Sequence, residues 1–322
     1  MTITCYQIDD CSQLQSLAPE EAVSVCQQKD ACAWLDIEAP TSDELAGWLD
    51  QLSIQGLIRR ICLEARTRPG FYPLKQEVCL VIPVLNNPED VSTQDYLVIV
   101  CHENLLLTVH GESVMNQEDI AELQATDDWL PERSIAGLVS AIMIELSLRG
   151  IEHTTNLHGS ILTLEERMDR QPETVKAEEI LDKRSELLER GSMISDQLPV
   201  LQALHGMDRP FFQFNESQTY MNCALVNLQA AAASMNWLDG RVSGLRSGFE
   251  MHAQDNTNRR LNMLTILSAV FNPATLLAGI WGMNFAHMPE LQYKFAYPIA
   301  LSLMALIGVF MVLFFRRGGW FD

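Results

Sequence analysis

The sequence predicts an α/β cytosolic domain, then long helices, then a C-terminal two-helix transmembrane hairpin. Three observations predict it. Short apolar or β-rich runs separated by turn clusters fill residues 1–130. Charged, amphipathic stretches rich in helix formers follow, and then 62 residues without proline, 211–272. Finally, two apolar runs, Leu261–Met283 and Phe295–Phe315, close the chain, with no Asp, Glu, Lys or Arg at 261–289 or 295–315. A bilayer core of ~30 Å needs about 20 apolar residues as helix, and each run supplies them.

In order, the strand candidates are Cys32–Ile37, Val78–Leu85, Tyr96–Cys101 and Leu105–Val109. Turn clusters bound them at Arg68-Pro69-Gly70, Asn86-Asn87-Pro88 and His102-Glu103-Asn104. Thr41–Leu52 reads as a helix with Ser42 as its N-cap. Residues 131–210 read as a charged helical hairpin. Leu181, Leu187, Leu188 and Ile194 recur near a 3.5-residue period there, with Pro172, Pro199 and Pro210 as punctuation. Residues 211–260 are a stalk helix, continuous with a first span at 261–284. As one helix the proline-free stretch would reach roughly 90 Å. Gly240, Gly244 and Gly248 recur on one face of it, marking either close helix approach or a local break. An outer loop (285–294), a second span (295–315) and a basic tail (316–322) complete the order.

The first span is not uniformly apolar. Alternating steps of three and four pick out Asn258, Leu261, Thr265, Ser268, Asn272, Thr275, Gly279 and Gly282, of which only Leu261 is large and apolar. Such a period suits parallel helices packed around a common axis. Small and polar residues could simply let helices approach closely. Alternatively they line a water-filled pore, which requires several copies, because two helices cannot enclose one. An amide at Asn272 is costly against lipid. Pro273 frees the carbonyl of Ala269, which faces the pore in one reading and marks only a kink in the other.

Charge is uneven. Beyond position 260 only Glu290, Lys294, Arg316, Arg317 and Asp322 are charged, netting +1, so residues 1–260 carry −21 of the total −20. That field repels nucleic acid and gathers cations. The eight cysteines contain no Cys-x-x-Cys and read as scattered thiols in a reducing compartment. Met1–Asp10 lacks a basic segment followed by an apolar one, so the large domain is expected in the cytosol. Arg259 and Arg260 before the first span, with Arg316 and Arg317 after the second, put both ends on the cytoplasmic side. Trp281, Tyr293 and Tyr297 sit at interface depth as anchors. No Gly-rich phosphate loop, nucleophile elbow or His-Glu-x-x-His is present, so an enzyme is not expected.

The first span ends in Gly282-Met283-Asn284, and Met288-Pro289-Glu290-Leu291 follows. With two C-terminal spans and Arg316-Arg317-Gly318-Gly319-Trp320 after them, this stretch resembles the CorA family of magnesium channels. The specific motifs cover about the last 60 residues; upstream the likeness is one of organisation. The resemblance implies a homopentameric funnel around a central pore in the cell (inner) membrane. It would carry Mg²⁺, with some Co²⁺ or Ni²⁺, and use no cofactor. By motif, Gly282, Met283 and Asn284 would form the selectivity ring, with Asn284 contacting the hydrated cation. Asn258 and Thr275 would be polar pore positions, Leu264 a narrow apolar ring, and Glu290 an attractor of cations at the mouth. The chemistry agrees. Mg²⁺ gives up water reluctantly, and neutral oxygens hold a hydrated ion without trapping it.

Departures bear on detail. Asn272 stands where many members carry a bulky apolar residue, and Ala286 where an acidic residue is frequent. The family's cytosolic magnesium-sensing carboxylates have no clear match. Asp36, Glu38, Asp239 and Asp255 are candidates, each read more simply as a solvated surface charge. Rival readings are a zinc transporter resembling the ZntB branch, and a membrane-anchored sensor or scaffold that conducts nothing. His287 could ligate zinc or cobalt but reads more simply as an ordinary loop residue.

Overall fold

The structure is a computed structural model. It describes residues 1–8, 14–18, 21, 25, 31–64, 68–85, 94–111, 114, 130–207, 209, 211–283, 288–289 and 293–320. The chain divides into two compact units, Met1–Ser243 and Gly244–Asp322.

The first unit is built on a seven-stranded sheet: β1 (Thr2–Ile8), β2 (Leu14–Leu17), β3 (Ala33–Glu38), β4 (Gly70–Pro73), β5 (Val78–Leu85), β6 (Gln94–Cys101) and β7 (Leu105–His110). The order is β2-β1-β3-β7-β6-β5-β4. Only β3 and β7 pair in parallel, Leu35 opposite Leu107; the other pairs are antiparallel. One sheet face, with Leu35, Ile37, Val81, Val98 and Leu107, packs on Leu45 and Leu49 of α1 (Ser42–Gln51) and on Ile58 and Cys62 of α2 (Gly56–Glu64). Alternate residues on the other face, including Trp34, Leu80, Ile82, Ile99 and Leu106, are fully buried too. A sheet covered on both faces explains why β5 and β6 read as nearly unbroken apolar runs.

Thr41, not Ser42, caps α1. Its backbone is extended, its hydroxyl accepts from Glu44 N, and the Glu44 carboxylate accepts from Thr41 N at 3.0 Å. This reciprocal capping box satisfies two donors that the first helical turn would otherwise orphan. The four leucine and isoleucine positions of the 3.5-residue period divide between two faces. Leu187 and Ile194 are buried, but Leu181 and Leu188 face outward. Pro199 does not end a helix; it lies inside the helix Ala177–His205.

A long hairpin follows the sheet: α3 (Ile135–Arg170), a 3₁₀ turn at Pro172–Thr174, and α4 (Ala177–His205). Gln197 of α4 donates to the Pro83 carbonyl at 2.7 Å, tying the hairpin to β5. The next helix, α5 (Gln218–Trp281), begins in this unit. Met221, Ala224, Leu228, Ala231, Met235, Leu238 and Val242 form its buried stripe at steps of three and four. Asn227 bonds Ser147 at 3.1 Å, and Arg241 pairs with Glu165, both partners lying on α3. The opposite face of α5 stays open along Cys223, Val226, Ala230, Ala233, Trp237 and Gly240. The helix does not break at Gly240 or Gly244, where an added Cβ would meet nothing within 4 Å.

Glu132 joins the starts of α3 and α5. Its carboxylate accepts from the hydroxyls of Ser134 (2.9 Å) and Ser217 (2.7 Å) and from Glu216 N (3.2 Å). Ser134 in turn caps α3 through Gly137 N at 3.0 Å. A carboxylate beside two helix N-termini also meets both positive dipole ends. Glu132→Ala strands the buried Ser217 hydroxyl and is expected to cost about 1–3 kcal/mol. Thermal unfolding followed by circular dichroism measures it, with Glu132→Gln recovering part of the loss.

The sheet buries one polar cluster. Trp34 Nε1 donates to Thr108 Oγ1 at 2.9 Å, and Thr108 Oγ1 donates to Asp36. His110 Nε2 lies 3.1 Å from Asp36 Oδ1, and His110 Nδ1 lies 2.7 Å from the Gly111 carbonyl. Both ring nitrogens face acceptors, the pattern of an imidazolium. Burial lowers the His110 pKa, but the hydrogen bond and charge of Asp36 outweigh it, and the net shift is upward from 6.5. A group whose folded pKa is raised adds stability below its unfolded pKa and loses it as pH rises through the folded value. The first unit is therefore expected to unfold more easily as pH climbs above about 6.5. Melting curves across pH should show this, and His110→Gln should flatten the dependence.

No disulfide joins the described cysteines. Cys5, Cys62, Cys79 and Cys101 are buried, and Cys223 is exposed; Cys11 and Cys26 lie outside the described residues. Burial pushes Cys62 up to about 12, and Cys79 and Cys101 further still, so these three are inert as nucleophiles.

The second unit holds the remainder of α5 and the helix α6 (Ala296–Arg317). Each is long and apolar enough to cross a membrane, and almost none of that apolar surface is buried within the chain. A soluble monomer does not expose contiguous apolar surface of this extent. Arg316 and Arg317 close the last turn of α6, where cations complement the helix dipole.

Candidate functional site

Two stripes run along α5 in the second unit. Ile266, Ala269, Val270, Pro273, Ala274, Leu277 and Trp281 are shielded to varying degrees, Ile266 most at 7% exposure. On α6 the shielded residues are Ala296, Ala300, Met304, Ile307, Gly308, Met311 and Phe315, again at helical spacing. The stripes face each other: a Cβ on Gly308 would lie 3.9 Å from Val270 Cγ1.

The second stripe of α5 is open. Asn258, Leu261, Leu264, Thr265, Ser268, Asn272, Thr275, Gly279, Gly282 and Met283 are all exposed. At about 100° per residue, its centre lies roughly 160° around the helix from the stripe covered by α6. Gly244, Ser247, Met251 and Gln254, also exposed, continue the same spacing towards the N-terminus. The polar residues therefore sit where the chain supplies no cover. Asn284, Glu290 and His287 lie outside the described residues.

Local geometry sets what this stripe offers. Thr265 Oγ1 donates to the Leu261 carbonyl at 2.8 Å, and Thr275 Oγ1 to the Phe271 carbonyl at 2.9 Å. Each hydroxyl proton is committed to the backbone, so the oxygens face outward as acceptors. Asn258 Oδ1 accepts from Gln254 Nε2 at 3.2 Å. Among the described residues the Asn272 side chain has no hydrogen-bond partner. At the helix end, Gly282 N donates to the Ala278 carbonyl at 2.9 Å, and a Cβ on Gly282 would come within 3.0 Å of that oxygen. Glycine permits this tight closing turn. Met283 N donates to the Ile280 carbonyl at 3.3 Å, and the C-terminal carbonyls of α5 form the negative end of its dipole.

The structure separates the two readings of Pro273. Ala269 and Pro273 both lie on the side shielded by α6, so the carbonyl freed by the proline does not face the polar stripe. Counting phase from Ile266 would have revealed this. The sensing candidates also fare differently from expectation: Asp36 is not a solvated surface charge but is 4% exposed and held by Thr108 and His110, while Asp255 is exposed.

An α/β domain joined by one long helix to a pair of bilayer-length helices defines a class, the two-span membrane proteins with a large α/β head. The family model described as CorA-like Mg²⁺ transporter protein matches residues 29–317. The chain belongs to the CorA family. It is 31% identical over 157 residues to the cobalt/magnesium transport protein CorA of Thermotoga maritima, covering 49% of this chain and 44% of that protein. It is 26% identical over 311 residues to the putative metal ion transporter YfjQ of Bacillus subtilis, covering 96% of each. The solved structure of the CorA magnesium transporter from Methanocaldococcus jannaschii shares its fold, with a TM-score of 0.81 at 19% identity over 99% of both chains.

Proposed function

We propose that this chain is the subunit of a homopentameric channel that carries hydrated divalent cations, Mg²⁺ first and Co²⁺ or Ni²⁺ beside it, into the cytosol. In this reading the open stripe of α5 lines the pore: Asn258, Leu261, Leu264, Thr265, Ser268, Asn272, Thr275 and Gly279. Gly282, Met283 and Asn284 form the selective outer ring, and Glu290 draws cations to it. Both termini lie on the cytoplasmic side of the cell membrane, and the reaction is permeation, not covalent catalysis. The membrane potential contributes about 2.3 kcal/mol per unit charge per 100 mV to inward flow.

The observation that carries this reading is the placement of the polar stripe opposite the α6 contact. A plain anchor would present apolar residues there. Outward-facing acceptor oxygens suit the protons of a cation's own water shell, and their neutrality suits release. The acidic head, −21 over residues 1–260, would concentrate cations on the cytosolic side rather than repel them.

Two measurements test it. Native mass in detergent should give five copies; a stable monomer sinks the pore. Uptake of Mg²⁺, Co²⁺, Ni²⁺ and Zn²⁺ into liposomes, run in parallel, should favour Mg²⁺. Preference for Zn²⁺ would replace the cargo, and uptake no faster than in empty liposomes would leave a sensor or scaffold.

A further inference from the structure

Asn272 lies midway along the apolar run Leu261–Met283. Its amide is exposed and has no hydrogen-bond partner among the described residues, whereas Thr265 and Thr275 return their protons to the backbone. The difference matters in a bilayer. A hydroxyl with its proton committed tolerates an apolar setting. An amide without partners is costly there. The helix α6 supplies no partner: its one mid-span polar side chain is Ser302, whose hydroxyl donates to the Pro298 carbonyl at 2.8 Å. The register also turns Asn272 away from α6.

We infer that Asn272 and its copies form a collar of amides at mid-membrane, a second station for the hydrated cation between Asn258 and the outer mouth. The inference rests on the channel reading above. Asn272 stands 14 residues beyond Asn258, about 21 Å along the axis. An amide has two donors and an acceptor with two lone pairs. Each NH₂ can donate to a neighbouring copy's oxygen, leaving a lone pair for a proton of the ion's first-shell water. The collar is neutral, so it steadies the ion without trapping it. An apolar side chain at this level would instead close a constriction that expels water. The apolar narrowing of this pore is thereby confined to Leu261 and Leu264, near the inner end of the span.

Mg²⁺ uptake into liposomes, read by an entrapped Mg²⁺-sensitive dye, tests the collar on the natural protein, Asn272→Leu, Asn272→Asp and Asn284→Ala, with native mass measured for each. Asn272→Leu is expected to assemble normally and slow uptake at least about tenfold by dewetting. Asn272→Asp is expected to lower the half-saturating Mg²⁺ concentration at least about threefold, since a carboxylate holds the ion more tightly. Natural uptake by Asn272→Leu, or unchanged half-saturation in Asn272→Asp, overturns the collar. Slowed uptake by Asn284→Ala alongside either result leaves the channel reading standing. Absent uptake by the natural protein removes the channel reading itself, and the collar with it. Should Asn272→Leu fail to assemble, the half-saturation of Asn272→Asp decides.

Discussion

Asn284→Ala is expected to lower Mg²⁺ uptake into liposomes at least about tenfold, because hydrogen bonds to a charged or ion-bound group are each worth about 1.5–3 kcal/mol and every copy loses one at the same level. The same residue type also suits a helix C-terminus, so loss of activity in Ala alone would be ambiguous. Asn284→Gly separates the roles. Glycine keeps the conformational freedom that a helix end uses and removes the amide. Both variants should assemble as the natural protein does and both should be slow. Normal uptake by the Gly variant would make Asn284 a cap and move selectivity elsewhere.

Asp36→Ala is expected to be the most damaging single change in the first unit. It strips the acceptor from Thr108 and from His110 at once, both fully or almost fully buried, and leaves an uncompensated imidazolium. Removing one partner of a buried pair costs about 3–5 kcal/mol. Asp36→Asn keeps one acceptor oxygen and should cost less. Thermal unfolding of the purified protein, followed by circular dichroism, orders the three; equal midpoints would show that the cluster contributes nothing. Should Asp36→Ala not accumulate, the Asn variant still reports the loss of charge, since the loss of stability above about pH 6.5 should disappear in it.

Burial on both faces made some strands plain and left others obscure. Val78–Leu85 and Leu105–His110 sit centrally and carry dense apolar runs. Leu14–Leu17 and Gly70–Pro73 are edge strands of four residues with mixed polarity, and they hold their place by pairing with Cys5–Ile8 and Val78–Val81. Such pairing is a contact between distant segments, without local signature. The same holds for Leu181 and Leu188, which a helical period groups with the core but which face outward. Periodicity says that a helix has a stripe; it does not say what lies opposite it.

By itself the sequence determined the two membrane-length helices, the long proline-free helix and the 3-and-4 spacing of Asn258, Thr265, Ser268, Asn272 and Thr275. These follow from side-chain transfer energies and helical geometry, which act residue by residue. Only the tertiary structure decided which side α6 covers, that the carbonyl freed by Pro273 points away from the polar stripe, and that Asp36 is locked inside the sheet with His110. Each depends on which remote segment arrives at a given surface, a choice made by packing across the whole chain rather than by any local run of residues.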